Sequence, residues 1–317
     1  MSLKTAASPS VGPARAIYGR IYRMKITALF FAAVSAAVCA CGAETHADAI
    51  TALVLDNVAK IRMERPDAVP MAFWDFDGTI IKGDISEGFE FLPDRPENPY
   101  KGLVERTIEE GLNSVYKREG GWERFAKRDY PMLGEIGRWI SWPYNAQMYH
   151  GQSAAEIEAF AEAECERVYR KWYFASSIKI WRALAQAGVE NYVVSGSPEI
   201  FVRGVAKSLG IPRERCRGAR VDIVAGRVTT KVQYPVPTGE GKVEIVRELV
   251  LGRPGGVAVA AFGNSYSTDA DFMRYVATQQ SLPGGARGTA VMVNGGPARP
   301  GYTEYFVCVA QDETLGE

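Results

Sequence analysis

The chain is 317 residues long, and 37 basic side chains balance 37 acidic ones. Because it has neither net positive charge nor a basic tail, we do not expect it to bind nucleic acid. His46 and His150 are the only two histidines, which excludes zinc centres built from three histidines. A composition of 47% hydrophobic and 23% charged residues is that of a globular protein. The length predicts one large domain, or one domain with a sizeable insertion.

A short apolar segment near the N terminus predicts export. Residues 24–41 read MKITALFFAAVSAAVCAC, and basic residues precede or open this run. The run is too short for a membrane-spanning helix, which needs ~20 apolar residues, but it suits a signal peptide. We therefore interpret residues 1–41 as a leader and expect an exported protein, either periplasmic or anchored to a membrane by a lipid at Cys41. Small residues at 45–49 offer alternative cleavage sites for a signal peptidase. The other interpretation of the apolar run at 24–41 is an N-terminal helix packed on the core.

The first predicted elements of the remaining chain are a helix, a strand and then a long helical region. Helical spacing covers residues 50–63, and the apolar run Met71–Trp74 predicts a short buried strand. Residues 84–174 contain helical patterns separated by proline and glycine signals, with no convincing strand. The predicted helices in this region cover 103–118, 121–128 and 154–173. The region therefore reads as a helical insertion.

Strand and helix patterns alternate after the insertion. Helices are predicted over 178–187, 199–209, 242–251 and 268–277, and strands over 192–194, 219–223, 227–231, 257–262 and 289–293. This alternation predicts an α/β fold with a doubly wound parallel sheet. We assign residues 48–84 and 175–317 to the α/β core and residues 85–174 to an inserted α-helical cap domain.

Two aspartates follow the first predicted strand. Asp75 and Asp77 lie two residues apart before Gly78, so both carboxylates can reach the same end of the sheet. An aspartate can attack phosphorus, and a second acid can protonate the departing alkoxide and later activate water. Two close carboxylates repel each other, and oxygen ligands beside a phosphate suit Mg²⁺. Taken alone, such a pair is more often a solvated strand end.

Three later segments place further polar groups near strand ends. Ser195–Pro198 ends a predicted strand and leads into a helix, whose free N–H groups suit phosphate oxygens. The turn GEGK at 239–242 begins a helix with Lys242, a residue type that neutralises charge on a transferring phosphoryl group. The segment GNSYSTD at 263–269 again follows a strand and carries oxygen ligands.

Together with Asp75–Thr79, these segments resemble the four ordered motifs of the haloacid dehalogenase superfamily, whose members use an aspartate nucleophile. The resemblance covers about residues 68–294 and implies a Rossmann-like core with bound Mg²⁺. It implies catalytic roles for Asp75, Asp77 and Lys242, phosphate contacts from Thr79, Ser195, Gly196 and Lys242, and metal contacts from Asp75, Asp77, Asn264 and Asp269.

The resemblance also implies what each acidic residue does. Asp75 is the nucleophile, and Asp77 is the general acid and base that binds the metal through its carbonyl. Asn264 stands where the family usually carries a second aspartate, so a weaker metal affinity is expected. Asp269 is preferred over Asp271 as the remaining metal contact, either directly or through water, because Asp271 falls inside the next predicted helix beside apolar residues.

Asp77 favours phosphoryl transfer over dehalogenation, because an alkoxide leaving phosphate needs a proton and a halide does not. The segments SGSPEIFVRGVAKSLGI, AGRVTT and GEGK look similar to the phosphoserine-phosphatase-like branch, which carries its cap at the same place. We expect a Mg²⁺-dependent phosphomonoester hydrolase that forms an aspartyl phosphate and acts on a small phosphorylated amine or alcohol, resembling phosphoserine or phosphocholine. The alternatives are phosphoryl transfer to an alcohol acceptor and a weakly active exported protein that binds phosphate and Mg²⁺.

The cap is expected to select the substrate. Its aromatic residues are Trp122, Trp139, Trp142, Tyr144, Tyr149, Trp172 and Tyr173. Most of them read as the core of a small helical domain, while two or three suit a cage for a quaternary ammonium group. A phosphoserine substrate would instead need a cation and an acid, for which Arg124 or Arg138 and Glu87 or Glu90 are candidates.

Overall fold

A computed structural model describes residues 43–89, 98–279 and 282–316, and a central sheet of seven strands organises this part of the chain. The strands are β1 Val69–Trp74, β2 Glu190–Pro198, β3 Cys216–Val224, β4 Arg227–Gln233, β5 Gly256–Gly263, β6 Thr289–Val293 and β7 Phe306–Val309. Their spatial order is β4-β3-β2-β1-β5-β6-β7. All neighbours pair in parallel except β3 and β4. Strands β2, β1 and β5 therefore end side by side.

Helices cover both faces of the sheet. The α-helices of the described residues are α1 Ala43–Glu64, α2 Leu103–Glu109, α3 Gly121–Arg124, α4 Tyr130–Ile136, α5 Arg138–Gln147, α6 Ala154–Glu164, α7 Ala175–Gln186, α8 Glu199–Ala206, α9 Glu240–Gly252 and α10 Ala270–Ala277. Alternate residues of β1 serve opposite faces: Trp74 packs in one apolar cluster with α1 and α7, whereas Phe73 packs in the other with α9 and α10. The predicted doubly wound α/β core is confirmed.

The sheet departs from the sequence prediction at both edges. Strand β4 runs antiparallel to β3, an edge pairing that the predicted parallel sheet did not include. Ala225 and Gly226, with φ of 48° and 77°, form the two-residue turn between these strands, a conformation typical of a tight hairpin. At the other edge β7 was not predicted, because four residues are too few to show a period.

The helical insertion has more and shorter helices than its sequence predicted. The helix predicted over 103–118 ends at Glu109, because Gly111 adopts a φ of 73° and the Asn113 side chain accepts hydrogen bonds from two following N–H groups. Helices α4 and α5 were not predicted, since Pro143 was interpreted as a turn signal and in fact lies inside α5.

The insertion packs directly on the core. Helix α6 approaches α8 so closely that a Cβ placed on Gly204 would lie 2.5 Å from the carbonyl oxygen of Glu158. One continuous apolar cluster includes Phe125 and Tyr149 from the insertion together with Trp74 and Phe201 from the core. The 85–174 limits of the cap stay a prediction, but this packing fixes the insertion against the carboxyl end of the sheet.

The N-terminal helix begins earlier than predicted. Helix α1 starts at Ala43, and Ala47 and Ile50 are buried in the core. The small-residue cleavage sites at 45–49 therefore lie inside this helix, whereas Cys41 and the rest of the predicted leader lie outside the described residues. Within the described ranges, no helix has both the length and the apolar character needed to cross a membrane.

Candidate active site

The predicted site residues come together at the carboxyl ends of β1, β2 and β5. Asp75 directly follows β1, and its N–H donates to the carbonyl of Phe262 in β5 at 2.9 Å. Ser195 lies near the end of β2, and Lys242 lies in the first turn of α9. Asp269 immediately precedes α10. The site therefore depends on three adjacent strand ends and two helix starts.

Lys242 joins two buried carboxylates. Its Nζ atom lies 2.7 Å from Asp75 Oδ1 and 2.7 Å from Asp269 Oδ1. The lysine side chain is 1% exposed. Burial lowers the pKa of Lys242, but the charges of Asp269 and Asp75 outweigh that effect and raise it to about 12. The ammonium therefore stays charged and fixes the orientation of the Asp75 carboxylate.

Burial and neighbouring acidic groups raise the pKa of Asp75 more than Lys242 lowers it. Burial, and after it the charge of Asp269, raises the pKa of Asp75 to about 8. Thr79 donates its hydroxyl to Asp75 Oδ2 at 3.4 Å. A nucleophilic carboxylate must be ionised at neutral pH, so a further cation beside Asp75 would favour the reactive form.

Asp77 is held by three hydrogen bonds. Its Oδ2 atom accepts from Ser195 Oγ at 3.0 Å and from Ser197 Oγ at 2.8 Å, and its Oδ1 atom accepts from the Ile85 N–H at 2.8 Å. Burial, followed by the charge of Asp84, nevertheless raises the pKa of Asp77 to about 7. A carboxyl group with a pKa near neutrality is suited to both giving and taking a proton.

Both carboxylate oxygens of Asp269 accept hydrogen bonds. One oxygen accepts from Lys242, and the other accepts from the backbone N–H groups of Asn264 at 3.1 Å and Ser265 at 3.0 Å. Asp269 thus positions Lys242 and holds the loop after β5, and its contact with a metal, direct or through water, stays a prediction. The alternative, Asp271, lies within α10, and its carboxylate is close to Gly239 instead of the cavity.

Asn264 reaches the turn that carries the aspartates. Gly78 has a φ of 71°, and a Cβ placed on it would lie 2.0 Å from Asn264 Nδ2. Only glycine permits both this conformation and this approach. The Asn264 amide therefore packs against the turn at Gly78 that follows the two aspartates.

A hard cation fits this donor set. The described residues contain no group of three or more histidine, cysteine or acidic side chains arranged around a metal. The oxygens available are a carboxylate of Asp75, the carbonyl of Asp77 and the amide of Asn264. Such mixed oxygen donors, next to a carboxylate whose pKa is raised by burial, suit Mg²⁺ bound together with a phosphate.

Two predicted phosphate-binding residues lie behind the cavity wall. Thr79 and Ser195 are both fully buried, and each hydroxyl donates to one of the two aspartates. Gly196 and Ser197 line the cavity instead. Sequence reasoning missed Ser197, although the period of two along β2 places residues 195 and 197 on the same face.

A cavity of about 520 Å³ opens between the strand ends and the insertion. The core side is lined by Asp75, Asp77, Gly78, Gly196, Ser197, Lys242, Asn264, Ser265 and Thr268, and the remaining wall by Gly83, Asp84, Ser86, Glu87, Gly88, Phe89, Tyr130, Arg138, Trp142 and Asn145. The cavity thus joins the aspartates to groups able to contact the rest of a substrate.

The predicted substrate-contacting residues are only partly at the cavity. Of the seven aromatic residues singled out in the sequence, Trp142 lines it; a Cβ on Gly196 would lie 2.6 Å from the Trp142 ring. Arg138 stacks on Trp142 at 5.7 Å and lines the cavity with Glu87. Arg124 instead pairs with Asp129 at 3.0 Å, and Glu90 lies outside the described residues.

Comparisons with known proteins agree with this geometry. The family model described as haloacid dehalogenase-like hydrolase matches residues 72–274. No curated protein matches the chain. Similar solved structures include a protein of unknown function from Bordetella pertussis Tohama I, with 16% identity, 76% of this chain and 98% of that chain covered, and a TM-score of 0.55.

Two further solved structures show weaker likeness. A hydrolase of this type from Salmonella enterica serovar Typhi shares 14% identity over 78% of this chain and 70% of that one, with a TM-score of 0.48. A substrate-bound phosphoserine phosphatase shares 16% identity over 77% of this chain and 93% of that one, with a TM-score of 0.43. At such low identity the solved structures speak to the fold alone.

Proposed function

The chain belongs to the haloacid dehalogenase-like hydrolase family, and we propose that it is a phosphatase that cleaves small phosphomonoesters through an aspartyl phosphate. The observation that carries the proposal is the pairing of two differently held carboxylates at one cavity. Asp75 is oriented by Lys242 at 2.7 Å, whereas Asp77 is held by serine hydroxyls and has a pKa near 7. The first suits a nucleophile and the second an acid and base.

The residues support a two-step mechanism. Asp75 attacks phosphorus while Asp77 gives its proton to the alkoxide that leaves, so an alcohol and an aspartyl phosphate are formed. Asp77, now ionised, takes a proton from water as that water attacks the same phosphorus, which releases phosphate and restores Asp75. Lys242 stabilises the negative charge on the transferring group, and Gly196, which lines the cavity, lies where it would contact the phosphate oxygens.

Mg²⁺ is the proposed cofactor. Asp75, the Asp77 carbonyl and Asn264 would hold it, and when bound it supplies positive charge that offsets the repulsion between the anionic nucleophile and a phosphate. The proposed substrates are small phosphorylated amines and alcohols, because the cavity of about 520 Å³ joins the aspartates to Glu87, Arg138 and Trp142.

Phosphate release from ethyl phosphate and p-nitrophenyl phosphate tests the proposal. The protein should be inactive after dialysis against EDTA and active when Mg²⁺ is added. Asp75→Asn should abolish turnover, whereas Asp67→Asn, which changes an exposed aspartate outside the site, should not. Turnover that survives Asp75→Asn contradicts the proposed nucleophile.

We also propose that the leader directs export of the protein. The exported protein is then either periplasmic or anchored to a membrane by a lipid at Cys41. The support is the apolar run at residues 24–41. Cell fractionation and N-terminal sequencing of the processed protein test this. A full-length chain in the cytoplasm contradicts export.

A further inference from the structure

Three large apolar side chains lie exposed on the helical insertion. Met132 and Ile136 of α4 are each 59% exposed, and Trp139 of α5 is 55% exposed. Met132 and Ile136 are four residues apart, so they lie next to each other on one side of α4. Single exposed apolar residues are ordinary, but a contiguous group of them beside a cavity indicates an interaction site.

Trp139 belongs to the same group. Gly137 joins the two helices with a φ of 144° and a ψ of 159°, a conformation that is essentially restricted to glycine. A Cβ placed on Gly137 would lie 2.7 Å from the Trp139 indole, so the ring lies against the residue that follows Ile136. Met132, Ile136 and Trp139 therefore form one surface, which we call the apolar face.

The segment that carries the apolar face projects into solvent. Of residues 131–139, seven are exposed and none is buried. Tyr130 and Trp142, which precede and follow this segment, line the cavity, and Arg138 Nη1 donates to the Ser267 carbonyl at 3.4 Å. The apolar face thus lies on the outer side of one wall of the cavity. A projecting apolar segment can enter a lipid interface, whereas a bound peptide helix needs a groove.

Positive charge accompanies the apolar face. Residues 1–41 contain five basic residues and no acidic one, which leaves 32 basic and 37 acidic residues in the rest of the chain. Residues 124–139 nevertheless contain four basic and two acidic residues. One of the two acids, Asp129, is paired with Arg124 and Arg128. A locally positive segment on an acidic chain is attracted to anionic lipid headgroups.

The leader joins the fold at the same end of the sheet as the cavity. Ala47, near the start of α1, lines a small cavity with Phe262 and Val293, which lie at the carboxyl ends of β5 and β6. Arg62, near the end of α1, donates to the turn that precedes β2. Helix α1 therefore runs antiparallel to the strands. A membrane that holds the apolar run at 24–41 would lie at the end of the sheet that carries the insertion.

We propose that the apolar face docks the protein on an anionic lipid surface. The Trp139 ring lies among the headgroups, where tryptophan is enriched in membrane proteins, and Met132 and Ile136 enter the boundary of the acyl chains. The neighbouring basic side chains face the lipid phosphates. This docking holds the cavity at the membrane, and it does not depend on whether the chain is a phosphatase.

Trp139 reports the docking directly. Full-length protein is mixed with vesicles of equimolar phosphatidylcholine and phosphatidylglycerol, and its fluorescence is compared with that of Trp139→Phe, which keeps the other five tryptophans. The difference, which is the emission of Trp139, should shift to shorter wavelength and be quenched by lipids with brominated acyl chains. An emission of Trp139 that vesicles leave unchanged would overturn the proposal, even if the leader binds them.

Matched variants measure what the apolar face contributes to binding. Replacing Met132, Ile136 and Trp139 together by serine should lower the vesicle partition coefficient by at least about tenfold. Met63→Ser with Leu251→Ser is the control, because these side chains are 83% and 85% exposed at the opposite end of the sheet, and it should bind as the unaltered protein does. The leader is the same in every variant. No loss in the triple variant, or an equal loss in the control, would overturn the proposal.

The lipid composition and the state of association test the choice of partner. Vesicles of phosphatidylcholine alone should bind at least about tenfold more weakly, and equal binding would overturn the preference for anionic lipid. A dimer in sedimentation velocity that the triple variant abolishes, without a vesicle-induced shift of Trp139 emission, would overturn docking in favour of self-association. Without vesicles, the triple variant should hydrolyse p-nitrophenyl phosphate as the unaltered protein does. Failure of docking is therefore distinguishable from failure of the proposed function.

Discussion

Removing the Ser197 hydroxyl should move the pH at which the proposed general acid stops working. Ser197 Oγ donates to Asp77 Oδ2 at 2.8 Å, the shorter of the two serine contacts with that oxygen. These bonds stabilise the ionised carboxylate and lower its pKa, which burial has raised to about 7. In Ser197→Ala the carboxylate loses one of these donors, so the pKa of Asp77 should rise.

The size of the shift follows from the bond that is lost. A hydrogen bond to a charged group contributes about 1.5–3 kcal/mol. One pKa unit corresponds to about 1.4 kcal/mol, so the shift should be roughly one to two units. Because Asp77 must be protonated to serve the leaving alkoxide, kcat/KM should fall above about pH 7 in the unaltered protein. In Ser197→Ala this fall should begin roughly one to two units higher.

The assay is the pH dependence of kcat/KM for ethyl phosphate, whose alkoxide needs a proton. p-Nitrophenolate leaves without one, so p-nitrophenyl phosphate should show little of this alkaline fall. Ser86→Ala is the matched control, since the Ser86 hydroxyl donates to Ser197 at 2.7 Å instead of to Asp77. An alkaline limb that stays in place or moves down in Ser197→Ala would refute the reasoning.

Three further substitutions test the surroundings of the nucleophile. Both carboxylate oxygens of Asp269 accept hydrogen bonds, so Asp269→Asn places an NH₂ group against one of those donors. The substitution should lower the free energy of unfolding, measured by urea denaturation, by about 1–3 kcal/mol. Gly78→Ala forces a Cβ to within 2.0 Å of Asn264 and should weaken Mg²⁺ binding measured by calorimetry; unchanged binding contradicts the placement of Asn264. Asn264→Asp adds a charged oxygen ligand and should tighten Mg²⁺ binding by about tenfold, so an unaltered dissociation constant argues against residue 264 as a ligand.

The core of the site was predictable because its residues follow strands. Asp75, Lys242 and Asp269 stand directly at a strand end or a helix start, and parallel strands bring such ends to one edge. The sequence could not show which hydrogen-bond partner each side chain of the site contacts. Asp269 was expected near the metal, but its contacts with Lys242 and two N–H groups were not predicted, because they depend on the three-dimensional course of the loop after β5.

The cap was harder to predict than the core. Asn145 lies one residue from a tyrosine and two from Pro143, and nothing in that pattern marks it as facing a cavity. Its position depends on α5, which forms despite an internal proline because the helix packs against β2, β3 and β4. Long-range packing of this kind overrides local propensity.

Chemical trapping of the intermediate tests the central claim most directly. The protein should be mixed with excess p-nitrophenyl phosphate and Mg²⁺, quenched in acid and treated with borohydride, which reduces an acyl phosphate to an alcohol. Peptide mass spectrometry should then find homoserine at position 75, and Asp75→Asn should show no reduced residue. Reduction at Asp77 or Asp269, or turnover with no reduced residue at position 75, would contradict an aspartyl phosphate on Asp75.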